Sequence, residues 1–204
     1  MTLTENKLPK SWRWVRLDEV GKFDSGGTPA KEKPEYWNGD IPFVTGADIT
    51  KLYISRENAR AFLTQKGLQS GKTAICKPGS ILFVTRTRVG RVGIASELVC
   101  ASQDLSPFTC GEQIMSEFAA RYITSITPLL IENCRGATIQ GLTRDFIHQI
   151  KIPLPPVSEQ KRISQILNEQ MAAVEKARAA AETELETINS LPAVILRQAF
   201  SGDL

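Results

Sequence analysis

Residues 159–189 contain neither glycine nor proline, and alanine, glutamate, lysine, arginine, glutamine and leucine predominate among them. That is strong helix-forming composition. At 1.5 Å per residue it predicts a rod of roughly 45 Å. Just before it stands Pro153-Leu154-Pro155-Pro156. Proline lacks a donor N–H and restricts the residue ahead of it, so this junction is expected to be extended and stiff. Ser158 offers a hydroxyl to cap the rod. A globular unit of about 150 residues has a radius of gyration near 15 Å. A rod this long therefore calls for a partner helix rather than the surface of its own domain.

The rod carries a seam. Leu167, Val174, Ala181 and Ile188 fall seven residues apart. Ile163, Gln170, Ala177, Glu184 and Leu191 form the companion row, flanked by Ile166, Met171 and Leu185. The pattern is heptad-like, and Gln170 and Glu184 weaken it. Ile163, Leu167, Val174, Ala181, Ile188 and Leu191 are the candidate dimerisation residues. Pro192 is expected to break the helix, with Ser190 capping a short second one that Gly202 ends.

Upstream of Val157 the chain changes character. Short β-branched runs at 41–44, 81–85, 92–95 and 150–154 are bounded by Gly, Pro, Asn or Asp and read as strands. Helices are expected at 116–125 and, shorter, near 64–67. The predicted fold class is α+β: a mixed, sheet-containing domain over 1–157, then a helical spacer over 158–204. The charge divides at the same place. Residues 1–157 hold 20 basic and 15 acidic groups, whereas 158–204 hold 5 and 7. A basic front and a mildly acidic tail point to different partners.

Catalytic signatures are missing at the needed spacing. Cys76, Cys100, Cys110 and Cys134 include no C-x-x-C pair, so reduced, buried thiols are expected rather than a zinc site. The stretch GLQSGKT at 67–73 lacks the first glycine of a phosphate loop. The sole Pro-Pro, at 155–156, lacks the Asn or Asp and the aromatic residue of an amino-methyltransferase motif. Asp145, Glu159 and Lys161 mimic a nuclease string but fall on different expected elements. His148 is the lone histidine and reads as half-buried structure. No cofactor is expected. No apolar run approaches the roughly 20 residues of a membrane span, and the first residues do not resemble a signal peptide, so a cytoplasmic location is expected.

One segment invites a nucleic acid: Thr85-Arg86-Thr87-Arg88-Val89-Gly90-Arg91. Arginine forks suit phosphates and guanine edges, and threonine hydroxyls reach phosphate oxygens. Spacing alone fits a solvated hairpin equally well. The candidate DNA contacts are Arg86, Thr87, Arg88 and Arg91, with Lys31, Lys33, Lys51, Arg56, Arg60 and Gln140.

At these residues the chain resembles the DNA-specificity (S) subunits of type I restriction-modification systems. Leu8-Pro9-x-x-Trp12 and Ser25-Gly26-Gly27-Thr28-Pro29 with Tyr36-Trp37 are similar to the start of that family's target recognition domain. Pro78-Gly79-Ser80 running into the arginine loop is similar too. The most specific likeness is Gly136-Ala137-Thr138-Ile139-Gln140-Gly141-Leu142 followed by Ile152-Pro153-Leu154-Pro155-Pro156-x-x-Glu159-Gln160. The Ala199-Phe200-x-Gly202-x-Leu204 ending resembles that of the family's spacer. The resemblance implies a non-catalytic protein that binds double-stranded DNA and directs methyltransferase, and with them restriction, subunits to a bipartite target. Family members usually carry two recognition domains and two helical regions; one of each is visible here. The chain is then a natural half-subunit or half of a longer one, and the rod is expected to make a homodimer. The competing classes are a stand-alone DNA methyltransferase or nuclease, and an assembly protein that pairs with a full-length specificity subunit without reading DNA.

Overall fold

The computed structural model describes residues 8–71, 73–135 and 141–202. It divides into two compact units, Met1–Lys161 and Arg162–Leu204.

The first unit is built from β1 (Arg13–Arg16), α1 (Leu17–Val20), β2 (Gly21–Phe23), β3 (Trp37–Val44), β4 (Tyr53–Ile54), β5 (Ala61–Leu63), α2 (Gln65–Gln69), β6 (Ala74–Cys76), β7 (Ile81–Val84), β8 (Val92–Ala95), β9 (Val99–Ala101), β10 (Leu105–Cys110), α3 (Ser116–Ser125), α4 (Thr127–Glu132), α5 (Arg144–His148) and β11 (Lys151–Leu154). A single helix, α6 (Val157–Ser201), follows. The fold is α+β. The four runs read as strands are strands, α3 spans 116–125, and α2 begins after Thr64, whose hydroxyl accepts the Gly67 N–H at 3.2 Å.

Among the described residues three sheets form, in the orders β1-β11, β2-β10-β7-β8-β4 and β5-β3-β9-β6. Most pairs are antiparallel; β3 with β9 and β4 with β8 run parallel. The inner strands of the four-stranded sheet are covered on both faces. Along β3, Phe43 joins Leu63 and Cys100 on one side, while Val44 joins Ile54, Leu82, Val84 and Leu105 on the other. A strand buried on both faces shows a continuous apolar run instead of alternation. Two of the cysteines fill this core. Burial pushes the Cys76 thiol up to about 12 and the Cys100 thiol up to about 11. All four cysteines are free thiols. His148 is half-buried and stacks on Phe23, ring centroids 4.9 Å apart.

The prolines of the junction lie in and just after β11, which pairs with β1 alone, so the Pro153 position forfeits no central ladder bond. Ser158 is not the cap expected of it. The helix already begins at Val157, and the Pro156 carbonyl accepts from Glu159 N and Gln160 N. Gln160, one turn in, is fully buried. Its Nε2 donates to the carbonyls of Gln113 (2.8 Å) and Pro155 (2.9 Å), and its Oε1 accepts from Met115 N at 2.8 Å. The side chain is saturated and joins the start of α6 to the turn before α3.

In the second unit, Pro192 does not break the helix: α6 runs through it to Ser201, about 68 Å over its 45 residues. Proline removes one backbone donor, and the helical turns before and after it carry the helix through. Ser190 turns its hydroxyl inward to the Thr187 carbonyl at 2.7 Å instead of capping a new helix. Gly202, at φ 83°, follows the last turn as expected. Every residue from 169 to 202 is exposed. Positions 170, 177 and 184 flank the first row of the seam on one side and positions 171, 178 and 185 on the other, at about the same angle, so Met171 and Leu185 lie beside Val174, Ala181 and Ile188 as flanking residues. Exposed large hydrophobics crowd the last turns: Leu185, Ile188, Leu191, Val194, Ile195, Leu196 and Phe200. Among the described residues no helix is long and apolar enough to cross a membrane.

Candidate nucleic-acid interface

The β7–β8 hairpin carries the arginine segment on its connecting loop, and both ends of that loop are pinned. At one end, Thr85 is buried. Its N–H donates to Asp104 O and its carbonyl accepts from Leu142 N, both at 2.9 Å. At the other end, Gly90 adopts φ 87°, a region unfavourable to residues with a Cβ. A Cβ there would also lie 2.5 Å from Thr127 Cγ2, and the Thr127 hydroxyl donates to the Gly90 carbonyl at 3.1 Å. Between the pins Arg86, Thr87 and Arg88 are exposed, as is Arg91 just beyond. Thr87 holds φ 63°, rare for a β-branched residue, and its hydroxyl donates to the Arg86 carbonyl at 2.6 Å. Such backbone costs roughly 1–3 kcal/mol and persists where its surroundings over-determine it, often at ligand-binding sites.

Among the described residues, clefts lie on either hand of this loop's arginines. The first, about 460 Å³, is lined by Thr50, Lys51, Arg88, Arg91 and Thr124 with the apolar Ile49 and Val92. Three cations and two hydroxyl-bearing residues converge there, and its lining holds no carboxylate. Arg91 spends one N–H on the Ile49 carbonyl at 3.3 Å, which anchors the side chain and leaves the rest of its fork available. The second cleft, about 250 Å³, brings together Ser25, Arg86, Gln103 and Arg144 above the buried Leu142 and Ile147. Arg86 bridges Gly141, and Gly141 in turn pairs with Arg135.

Lys51, Arg88 and Arg91 thus meet in one cleft and Arg86 in its neighbour. Arg60 is committed elsewhere: its Nε lies 2.7 Å from Oδ1 of the buried Asp48, and its Nη2 donates to the Ala47 carbonyl. The Arg56 guanidinium lies over the Phe62 ring, 5.2 Å from its centroid. Lys33 donates to the Tyr36 hydroxyl at 3.3 Å, and Lys31 is exposed on the same connection between β2 and β3. Gln140 lies outside the described residues. Sequence reasoning passed over Arg144, which opens the five-residue α5 behind the Thr143 cap. It also missed what Ser25-Gly26 is for. A Cβ on Gly26 would fall 1.9 Å from the Ser102 carbonyl oxygen, so only glycine lets this segment press against the β9–β10 turn and bring Ser25 to the second cleft.

The chain as a whole is similar to known proteins. The specificity subunit of type I restriction enzyme MjaIX from Methanocaldococcus jannaschii is 28% identical over 169 residues, a match covering 79% of this chain and 38% of that subunit. The HsdS subunit from Thermoanaerobacter tengcongensis superposes with a TM-score of 0.68 at 29% identity, over 99% of this chain and 48% of that one. A chain from a structure of type I R-M complex assembly and conformational transition reaches 0.78, also at 29% identity, over 99% and 49%. This chain therefore spans less than half the length of each of them. The model of the type I restriction modification DNA specificity domain matches residues 9–184, and to that family the chain belongs.

Proposed function

We propose that this chain is a sequence-specific DNA-binding specificity subunit of a type I restriction-modification complex, without catalysis of its own. The recognition domain, residues 1–157, grips double-stranded DNA and reads base edges. The helical region, 158–204, pairs with a second copy and sets the distance between half-sites. Two identical lobes related by a two-fold axis read a palindromic, bipartite target. Methyltransferase subunits, and restriction subunits with them, are guided there in the cytoplasm. The observation that carries the reading is the cleft where Lys51, Arg88 and Arg91 converge with no carboxylate in its lining. Guanidinium and ammonium groups gathered in this way attract a polyanion, and phosphate contacts orient a protein on the duplex.

Salt dependence tests it. Three phosphates neutralised by this cleft give a slope of about −2.7 for log K against log salt. Raising salt from 50 to 200 mM then weakens binding about 40-fold, measured by fluorescence anisotropy on a duplex. A flat response removes the phosphate role.

Pairing through α6 is carried by its exposed apolar row. An exposed cluster as dense as residues 185–200 marks an interaction surface. Replacing Leu185 and Ile188 with glutamate places like charges at the centre of a pair, and light scattering should then report monomers where the unaltered chain gives dimers. A dimer that survives both changes is held by another surface.

A further inference from the structure

The second cleft divides the work with the first. Arg86 and Arg144 both line it, and its lining contains no carboxylate that neutralises them. Two guanidinium groups so placed suit an acceptor-rich ligand. Of the two, Arg144 has a side-chain hydrogen bond within the cleft. It stands at the first position of α5, behind the Thr143 hydroxyl that accepts from Phe146 N at 3.3 Å. Its Nη2 donates to the Ser25 hydroxyl, 119 residues away in sequence. One of five donors is thereby used to fix the guanidinium plane, and the remaining N–H groups stay free for a ligand. The buried Leu142 and Ile147 line the same cleft, so the exposed fork stands beside apolar surface. The first cleft differs: it offers a lysine and two arginines on the hairpin side, a gathering of charge suited to phosphate.

We infer that Arg144 is a specificity-determining residue that reads a guanine edge in the DNA target, with Ser25 positioning its guanidinium. The inference rests on the DNA-binding reading above and deepens it. A planar fork held at one corner matches the paired O6 and N7 acceptors of guanine in the major groove. A mobile ammonium in its place keeps the charge and loses the match.

The experiment is a selection from random duplex DNA with the full 204-residue chain, repeated with Arg144→Ala, Arg144→Lys, Ser25→Ala and the pair Lys51→Ala/Arg88→Ala. The unaltered chain should enrich a sequence containing at least one strongly preferred guanine. Arg144→Ala and Arg144→Lys should both lose about 5- to 150-fold discrimination at that one base pair and keep the preferences elsewhere. Arg144→Lys should also keep the salt slope of the unaltered chain. Ser25→Ala should weaken the same preference by a smaller factor. Lys51→Ala/Arg88→Ala should lower affinity for all sequences while leaving the guanine preference intact. An unchanged consensus in Arg144→Lys, or equal loss on every sequence in Arg144→Ala, would make the residue a phosphate contact and overturn the inference, with the DNA-binding reading standing. If the unaltered chain binds duplex but enriches no sequence, the base-reading role falls. If it binds no duplex at all, both fall together.

Discussion

Replacing Gln160 with alanine should lower the unfolding free energy of the Met1–Lys161 unit by about 3 kcal/mol. The side chain is fully buried and makes three hydrogen bonds with the backbone of Gln113, Met115 and Pro155. Truncation leaves the Met115 N–H and the Gln113 and Pro155 carbonyls without this partner; Pro155 is buried, and an orphaned buried group costs about 1–3 kcal/mol. The vacated volume adds a cavity cost, and some relaxation offsets it. For a unit of this size the change should appear as a fall in melting temperature of about 6–12 °C. Denaturant unfolding checks the value, with the midpoint moving and the slope constant. Gln160→Glu gives a second, pH-dependent signature. An ionised carboxylate would face two carbonyl oxygens in a dry site, so burial and those oxygens raise its folded-state pKa above the ordinary glutamate value. Between those two values the folded state binds more protons than the unfolded one. The variant must therefore lose stability as pH rises from about 4 toward neutrality. Gln170, farther along the same helix and exposed, should tolerate alanine within about 0.5 kcal/mol. The Glu159-Gln160 pair is thus more than helix-forming composition: its second member fastens the rod's first turn to the recognition domain.

What could be read without coordinates was local. The runs that became β7, β8 and β11 show themselves through β-branched residues between turn formers, and α3 through its helix formers. The parallel pairing of β3 with β9 was hidden, because it depends on contacts about sixty residues apart and leaves no trace in either segment alone. Phe43 and Val44 illustrate the loss. Adjacent residues buried on opposite faces give a run that announces burial but not its partners. At the site, the arginines of the hairpin were legible because three of them crowd seven positions. Lys51 was named as a candidate from the sequence, but its place beside Arg88 and Arg91 shows only in the fold. Arg144 had no signal at all: its helix is too short for periodicity, and its meaning comes from Ser25. Arg60, named as a candidate contact among other basic residues, pairs its Nε with Oδ1 of the buried Asp48, a partner that no local sequence pattern announces. In α6 the long helix itself was legible from its composition. A single proline was given too much weight against a long stretch of helix formers.

The hairpin loop makes the larger functional prediction. Changing Lys51, Arg88 and Arg91 together to alanine should weaken duplex binding by roughly 100-fold at low salt, at about 1 kcal/mol for each charge-assisted contact removed. It should also flatten the salt slope by about 2.7, since three fewer counterions are released. Two features separate this from a folding defect. The three side chains touch the core little: Lys51, Arg88 and Arg91 are exposed, and Arg91 reaches inward to the Ile49 carbonyl through one N–H. The loop's conformation is set by other residues, Thr85 at one end and Gly90 against Thr127 at the other. The variant's circular dichroism and melting temperature should therefore match those of the unaltered chain. Gly90→Val is the complementary change. It leaves every charge in place but drives a Cβ into Thr127 from a left-handed backbone, so the loop must shift. Binding should fall in that variant too, while the number of cations is unchanged. A loop acting only through its net charge would lose affinity in the triple variant and keep it in Gly90→Val. A loop that presents its arginines in a fixed geometry loses affinity in both, and that is the outcome the pinned hairpin requires.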